Sequence, residues 1–375
     1  MKVAYLTNNV PAYRTDFISR CFADKRLEVT VFCHKDIHGH TVKLIPEHLR
    51  HRLVLCDTLT LFGGAFIFEK LPIKSLLTSY DVIISDGNPR HVGYALLATL
   101  AAIMRRRVII WSTLHSRRNR RLTQWLRLRW WKIFMEFFSY TEPDAANLRA
   151  QFPGRIVHST NNGLDQVSID RAKCSYPLAS LTAFKSKLGL EGKRIALSLG
   201  RALPGRFNLM VPVLREMKRR DADFRWILLG DGDGIATLKA ELKSFGVSDL
   251  AILVGAVYGE AELAKWFGIA DLFVYPDAIG LSLYHAYGYG LPVIVHSNYA
   301  FHGPEMGTFK EGLTGLTFEP GNASHMAEQI VRLLNDDGRR NKMNTHVLEI
   351  VHNLYNSEIM FERFTRALLE PVSVL

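Results

Sequence analysis

The chain alternates short, continuously apolar runs with helical segments, and it does so twice. Residues 81–85 and 108–111 are apolar on both faces, which is typical of parallel strands covered by helices on each side. A turn-rich stretch at 161–165 interrupts the alternation, and it resumes with a strand at Arg194–Leu199. The pattern predicts an α/β protein built from two Rossmann-like, doubly wound parallel sheets.

The interruption sets the predicted domain boundaries. Residues 1–165 form an N-terminal Rossmann-like domain, 166–352 form a second one, and 353–375 contain a last helix that crosses back to the first. A length of 375 residues suits two domains of ordinary size. Open parallel sheets bind ligands at the carboxyl ends of their strands, so we expect the two domains to face a central cleft.

The whole excess of positive over negative charge lies in the first half of the chain. The net charge is +11; residues 1–165 hold 24 Lys and Arg against 13 Asp and Glu, whereas residues 166–375 hold 23 of each. A basic half beside a neutral half predicts two partners, one anionic and extended and the other small.

Neither a membrane span nor a disulfide framework is expected. The longest apolar run, 92–104, is shorter than the ~20 residues that cross a bilayer. The chain begins with a strand pattern rather than a signal peptide. Its four cysteines show no metal or disulfide spacing and suit a reducing compartment. These features predict a cytoplasmic protein, soluble or peripheral on the inner face of the membrane.

Residues 275–294 are the most informative stretch. A strand leads into a glycine turn that opens a helix, and the amides of Gly280, Leu281 and Ser282 are unpaired at such a helix start, where an anion can bind. Asp277 and His285 flank this turn. The alternative is an ordinary strand–turn–helix in which His285 is a hydrogen-bonded helix residue.

Two more loops follow predicted strands. Gly200, Arg201 and Arg206 come after the strand at Arg194–Leu199, where two guanidinium groups suit a diphosphate, although solvated loop arginines are an equal alternative. The stretch 230–234 (Gly-Asp-Gly-Asp-Gly) lacks the spacing of a dinucleotide or calcium loop and predicts a tight turn near the nucleotide.

Together these motifs resemble the family-4 retaining glycosyltransferases of the GT-B fold. The matching elements are Gly200-Arg201 with Arg206, the 230–232 glycine turn, Asp277 with His285, and 290–293 (Gly-Leu-Pro-Val). Glu305 and the 312–316 stretch (Gly-Leu-Thr-Gly-Leu) complete the order. The match spans about residues 160–335 and is loose in the first half.

The resemblance implies a role for each matching position. Arg201 and Arg206 would hold the donor diphosphate, assisted by the amides at 280–282, while Asp277 would contact the donor sugar or its phosphate. His285 would bind the ribose and Val254 would face the base. In the first domain, the predicted acceptor and cleft residues are Asn9, Tyr13 and Arg14, and His115 is predicted near the reacting carbon.

The function implied is retaining transfer of a sugar from a nucleotide diphosphate donor, a UDP-sugar in the first place. The acceptor would be a carbohydrate or lipid-linked glycan in cell-surface polysaccharide or glycolipid synthesis. No metal and no cofactor are expected. Asp277 and His285 depart from the glutamates typical of the family, which keeps open a non-catalytic nucleotide-sugar-binding or membrane-associated scaffold. A nucleotide-sugar epimerase on the same fold is a further alternative.

A basic segment with tryptophans lies between Asp86 and Glu136, a span that contains no acidic residue. Within residues 105–132 the tryptophans are interleaved with arginines, which is typical of a helix lying on an anionic membrane. One alternative is that the tryptophans pack in the core beneath a solvated basic face. Nucleic-acid binding is not expected, because no recognised module accompanies the charge.

Overall fold

The computed structural model describes residues 1–35, 47–114, 121–220 and 223–370. The chain divides into two compact units. The first comprises Met1–Leu164 and Ser357–Leu375, and the second comprises Asp165–Asn356. Among the described residues, no helix combines the length and apolar composition that a membrane crossing requires.

The first unit begins with nine described strands and six described helices. The strands are β1 (Lys2–Leu6), β2 (Glu28–His34), β3 (Leu53–Cys56), β4 (Thr58–Leu61), β5 (Phe66–Glu69), β6 (Val82–Asp86), β7 (Arg107–Trp111), β8 (Glu136–Ser139) and β9 (Ile156–Ser159). The helices are α1 (Thr15–Ala23), α2 (Glu47–Arg50), α3 (Ile73–Ser79), α4 (Val92–Ile103), α5 (Arg121–Trp131) and α6 (Glu142–Gln151).

The second unit holds the remaining described strands and all but one of the remaining described helices. The strands are β10 (Arg194–Leu199), β11 (Phe224–Leu229), β12 (Ala251–Gly255), β13 (Leu272–Tyr275), β14 (Val293–His296) and β15 (Gly315–Phe318). The helices are α7 (Gln166–Cys174), α8 (Leu178–Lys187), α9 (Met210–Arg220), α10 (Ile235–Ser244), α11 (Glu260–Gly268), α12 (Ser282–Gly288), α13 (Ala323–Leu334) and α14 (Asp337–Asn353). The final helix, α15 (Ser357–Leu369), returns to the first unit.

Each unit is built on a sheet whose strand pairs are all parallel in the described residues. The first sheet has the order β3-β2-β1-β6-β7-β8-β9, and the second has the order β12-β11-β10-β13-β14-β15. Central strands such as β6 and β14 are buried, as continuous apolar runs predict. The predicted α/β class with two doubly wound sheets is therefore confirmed.

The sequence predicts a long helix from about residue 117 to residue 137, and the last part of this prediction is wrong. Helix α5 ends at Trp131, and the chain turns into strand β8 at Glu136. Phe137 and Phe138 are both buried, one in each of the two apolar clusters of this unit, which are separate from one another. Adjacent side chains can enter two separate clusters in a strand, because they point to opposite faces of a sheet.

The antiparallel hairpin β4–β5 was absent from the sequence prediction. It stands apart from the main sheet, and its second strand forms a bridge between Ile67 and His91 at the start of α4. The sequence predicts an irregular stretch between residue 165 and the strand at Arg194–Leu199, but this stretch contains α7 and α8. Asp165 caps α7 by accepting a hydrogen bond from the Ser168 amide at 3.0 Å.

Helix α15 completes the core of the first unit. Its side chains Met360, Phe364 and Leu368 are buried with residues of β1, β2 and β7. Arg107, at the start of β7, donates to the carbonyls of Ala367 and Leu368 at 2.8 and 2.7 Å. One cation therefore holds the last turn of this helix, whose free carbonyls favour positive charge.

Arg107 also forms a two-pronged ion pair with the buried Glu136. Its Nε and Nη2 atoms lie 2.8 and 2.7 Å from the two carboxylate oxygens, and His158 Nε2 lies 3.3 Å from Oε1. Burial alone would raise the pKa of Glu136, but the bonds from Arg107 and the nearby His158 hold that pKa below its ordinary value.

Replacing Arg107 should destabilise the first unit. In Arg107→Met the Glu136 carboxylate stays buried without its main partner and the last turn of α15 loses two donors, so the free energy of unfolding should fall by about 3 kcal/mol. Urea unfolding at neutral pH measures this change. Lys2→Met, which breaks an exposed ion pair with Glu28, is the control and should cost less than about 1 kcal/mol.

The difference in unfolding free energy between wild type and Arg107→Met should also depend on pH. The pKa of Glu136 is lowered by folding, so its stabilising contribution is complete above the ordinary glutamate value of about 4.3 and is lost as the pH falls through the lowered pKa. The difference between wild type and Arg107→Met should therefore shrink in acid. A difference that stays constant down to the acid transition would contradict this assignment.

Candidate active site

The loops after β10 and β11 are joined backbone to backbone. Gly230 donates to Gly255 O at 2.8 Å, and a Cβ atom added at Gly230 would lie 1.9 Å from the carbonyl oxygen of Gly200. Ala202 donates to Asp231 O at 3.0 Å, and Gly234 donates back to Ala202 O at 2.8 Å. The glycines of 230–234 thus permit close packing against the loop that carries the two arginines.

Arg206 and Asp277 meet at the carboxyl ends of β10 and β13. Arg206 Nε lies 3.2 Å from Asp277 Oδ2, and its Nη1 donates to the carbonyl of Arg201 at 3.2 Å. Both paired side chains keep some solvent exposure. Three residues predicted from two distant motifs are therefore neighbours, and the guanidinium group is held in place while part of it still faces solvent.

The glycine turn between β13 and α12 offers unused donors. Among the described residues, the amides of Gly280, Leu281 and Ser282 donate no hydrogen bond to another protein group. The turn is held from behind, because the Gly303 amide donates to Ile279 O at 2.7 Å. These free donors suit an anion, as predicted from the sequence.

Glu305 is a buried carboxylate beside the same turn. A Cβ atom at Gly303 would lie 2.6 Å from its Oε2, and one at Gly280 would lie 3.8 Å away. The absence of side chains at both glycines allows the carboxylate to approach the turn closely.

The nearby Tyr284 stays protonated. Its pKa is raised well above the ordinary value, mainly by burial and in addition by the negative charge of Glu305.

His285 is paired with a carboxylate that the sequence did not single out. Its Nε2 lies 3.2 Å from Glu260 Oε1, and the Tyr289 hydroxyl donates to Glu260 Oε2 at 2.8 Å. The side chains of Glu260 and His285 are 27% and 15% exposed, so a ligand can reach both. Burial raises the pKa of Glu260, but the bonds from His285 and Tyr289 outweigh it and keep that pKa below its ordinary value.

Glu260 was missed because its contact with His285 spans 25 residues of chain. It is the first residue of α11, and Gly259 before it has a φ of 85°, a value that favours glycine. The sequence shows this glycine and an acidic helix start, but not which neighbouring helix they face. Val254, predicted to lie near a base, is half-buried in β12.

The predicted acceptor residues belong to the first unit. Asn9 follows β1, and Tyr13 and Arg14 lie in a short 3-10 turn before α1. Arg14 lies over the rings of Tyr13 and Tyr140 and donates to the sulfur of Met360. His115, predicted near the reacting carbon, lies outside the described residues.

The tryptophans of the basic segment divide between core and surface. Trp111 and Trp131 are buried, and Trp130 is half-buried with its Nε1 donating to Thr99 at 2.9 Å. Trp125 is 52% exposed, with the guanidinium of Arg129 5.0 Å from its ring centroid. Each of the two alternatives left open by the sequence thus holds for part of the set, because Trp111 and Trp131 fill the interior of the unit whereas Trp125 lies on its surface.

The second unit also matches a known protein family in sequence. The model described as "Glycosyl transferases group 1" matches residues 182–347, which include β10 to β15 and every residue that the sequence predicts for a donor site. Residues 182–347, somewhat less than half of the chain, are thus similar to the group 1 glycosyl transferases.

The curated relatives to which this chain is similar are distant in sequence. The alpha-D-kanosaminyltransferase of Streptomyces kanamyceticus is 24% identical over 204 residues, 53% of this chain and 50% of that protein. The N-acetyl-alpha-D-glucosaminyl L-malate synthase of Bacillus anthracis is 26% identical over 148 residues, 38% of this chain and 37% of that protein. The chain thus spans half or less of the length of these relatives.

Among solved structures, the Anabaena protein Alr3699/HepE in complex with UDP has a TM-score of 0.74 to this chain at 15% identity. The match covers 98% of this chain and 99% of that protein. A likeness at this identity shows the fold, and the fold is GT-B, as the sequence motifs predicted.

Proposed function

We propose that this protein transfers a sugar from a nucleoside diphosphate donor, preferably a UDP-sugar, to a carbohydrate or lipid-linked glycan acceptor. The observation that carries the proposal is the Arg206–Asp277 pair beside the free amides of 280–282. Two arginines and three amide donors suit a diphosphate, whose charge grows as it leaves the sugar. The product class would be a cell-surface polysaccharide or glycolipid.

The proposed reaction retains the configuration of the sugar and uses no metal at the diphosphate. The bond between the anomeric carbon and the diphosphate oxygen breaks, and the acceptor hydroxyl oxygen bonds to that carbon on the same face. The hydroxyl proton passes to the departing diphosphate. Arg201 and Arg206 stabilise the leaving group, and Asp277 orients Arg206 and the sugar. His115 with Asn9, Tyr13 and Arg14 would serve the acceptor side.

Nucleotide binding tests the donor site. At ~100-fold excess over its Kd, a ligand that binds only the folded state adds roughly 2.7 kcal/mol of stability. We expect UDP to raise the melting temperature more than GDP, ADP, CMP or dTDP, by the same amount with and without EDTA. Arg206→Ala should abolish the UDP-induced shift.

Arg219→Ala, which removes an exposed arginine of α9, is the matched control and should keep the full shift. If no nucleoside diphosphate stabilises the wild type, the GT-B fold here lacks a donor site and the non-catalytic alternative replaces the transferase.

Glu260 is proposed to bind the donor ribose together with His285. Each carboxylate oxygen can accept more than one hydrogen bond, so the contacts to His285 and Tyr289 leave capacity for a hydroxyl. The carboxylate absent from position 285 would thus be supplied by the neighbouring helix α11.

Glu260→Gln should weaken UDP binding about tenfold or more, the size of a lost hydrogen bond to a charged group. Inorganic pyrophosphate, which has no ribose, should bind wild type and variant equally, as isothermal titration would show. Glu262→Gln on the exposed side of the same helix is the control. Equal losses for UDP and pyrophosphate would assign Glu260 to general packing instead.

The first unit is proposed to contact an anionic membrane, which would bring a lipid-linked acceptor within reach. Exposed apolar side chains follow one face of α4 and continue along α5 and the turn after it. They are Leu96, Leu100, Ile103, Met104, Trp125, Leu126, Ile133 and Met135. Trp130 joins the two helices through its bond to Thr99.

Basic side chains accompany this apolar surface. Arg105, Arg129 and Lys132 are exposed, and Arg155 donates to Met135 Sδ and Lys132 O. Each basic residue near an anionic surface contributes on the order of 1 kcal/mol. Arg127 is unavailable, because it is buried over the ring of Trp131.

Vesicle pelleting tests the membrane contact. We expect the protein to pellet with phosphatidylglycerol vesicles at low salt but not with phosphatidylcholine vesicles, and high salt should release it. The double variant Trp125→Ser with Arg129→Ser should pellet less, whereas Arg219→Ser in the second unit should pellet like wild type. Wild type that stays in the supernatant at low salt would exclude the contact.

A further inference from the structure

Two histidines and a glutamate of the first unit converge on one point. His34 is the last residue of β2, Glu69 is the last of β5, and His91 directly precedes α4. Their nearest nitrogen and oxygen atoms all lie within 4.8 Å of one another, and all three residues are buried. It is the one group of three or more metal-ligating side chains found in the described part of the chain.

The distances between the Glu69 carboxylate and the two histidine nitrogens are close to those between the ligands of a zinc ion. Glu69 Oε1 lies 3.1 Å from His34 Nε2 and 2.9 Å from His91 Nδ1. Ligands around a tetrahedral zinc, at bonds of about 2.0–2.1 Å, are roughly 3.3 Å apart. The two distances from Glu69 Oε1 to the histidine nitrogens therefore need to lengthen by only a few tenths of an ångström to admit the ion.

The backbone holds Glu69 in the orientation that a metal ligand needs. Its second oxygen, Oε2, accepts hydrogen bonds from the amides of Gly93 and Tyr94 at 2.9 and 3.3 Å, which leaves Oε1 directed at both imidazoles. A Cβ atom at Gly93 would lie 2.6 Å from Glu69 O and 2.8 Å from Oε2. Gly93 is thus required for this approach, and the two amides act as outer-shell donors.

The surroundings fix the orientation of the two imidazoles. The ring of Tyr94 packs against His34 and His91 with centroids 5.7 and 5.8 Å apart. A carboxylate oxygen and two imidazole nitrogens are a ligand set that zinc accepts.

We propose that His34, Glu69 and His91 bind one Zn²⁺ ion, which ties the β4–β5 hairpin to β2 and to the start of α4. This departs from the sequence prediction that the protein holds no metal. The site lies at the carboxyl edge of the first sheet, beside the β1–β6 junction where the strand order reverses. Its role is to hold this edge in shape, and it does not depend on the donor site of the second unit.

Zinc content and affinity test the proposal on the full chain. All proteins carry Cys174→Ser, which removes the one thiol that is exposed among the described residues. Elemental analysis after extensive dialysis should find about one zinc per chain in this background. Glu69→Gln and His91→Asn should each lower zinc affinity by at least about a hundredfold.

Glu136→Gln is the matched control, since Glu136 is another buried carboxylate of the same unit beside a histidine, and it should keep the zinc. A second measurement needs no variant. Cobalt added to the chelator-treated protein should give the strong visible absorption of a tetrahedral site, and added zinc should abolish this absorption. No zinc above the Glu69→Gln level together with no cobalt spectrum would show a purely hydrogen-bonded His–Glu–His cluster and overturn the proposal.

Discussion

Parallel pairing is the constraint on which both units depend. In a parallel sheet every strand ends at the same edge, so each loop that follows a strand is brought beside the loops of its neighbours. Gly200 and Asp277 follow β10 and β13, which are hydrogen-bonded neighbours although 77 residues separate these positions. The residues predicted for the donor site come together because the sheet is parallel, and the glycines of 230–234 let the loop after β11 pack closely against the loop after β10.

The same constraint explains what could be predicted from sequence. Apolar runs such as β10, β11 and β13 can be recognised as strands in the sequence. Arg201, Arg206 and Asp277 follow such runs, so their place at the carboxyl edge of the sheet can be predicted without a structure. Helix-to-helix contacts carry no such signal. Glu260 lies at the start of α11, and only the packing of that helix against α12 shows that it faces His285.

Two features of the first unit, the end of α5 and the hairpin β4–β5, were not predicted because their local sequence patterns are ambiguous. The stretch after residue 117 is rich in tryptophan, leucine and arginine, and this composition masks the change from helix to strand before Glu136. The hairpin β4–β5 was missed because its strands are four residues long and mostly exposed, so they show no clean alternation. Glu69 lies on that hairpin, and without it His34 and His91 are two unrelated histidines in the sequence.

Helix α15 makes the first unit discontinuous in the chain. Leu164 and Ser357, on either side of the second unit, are joined by a hydrogen bond of 2.9 Å from the Ser357 amide to the Leu164 carbonyl. The second unit is thus an insertion whose two ends leave the first unit at one point. During synthesis on the ribosome, the last residue of the second unit is added before the last residues of the first unit. The aromatic cluster of Phe17 and Trp111 is therefore incomplete until Phe364 has been synthesised. Newly made chains therefore expose that apolar surface for as long as it takes to translate the whole insertion.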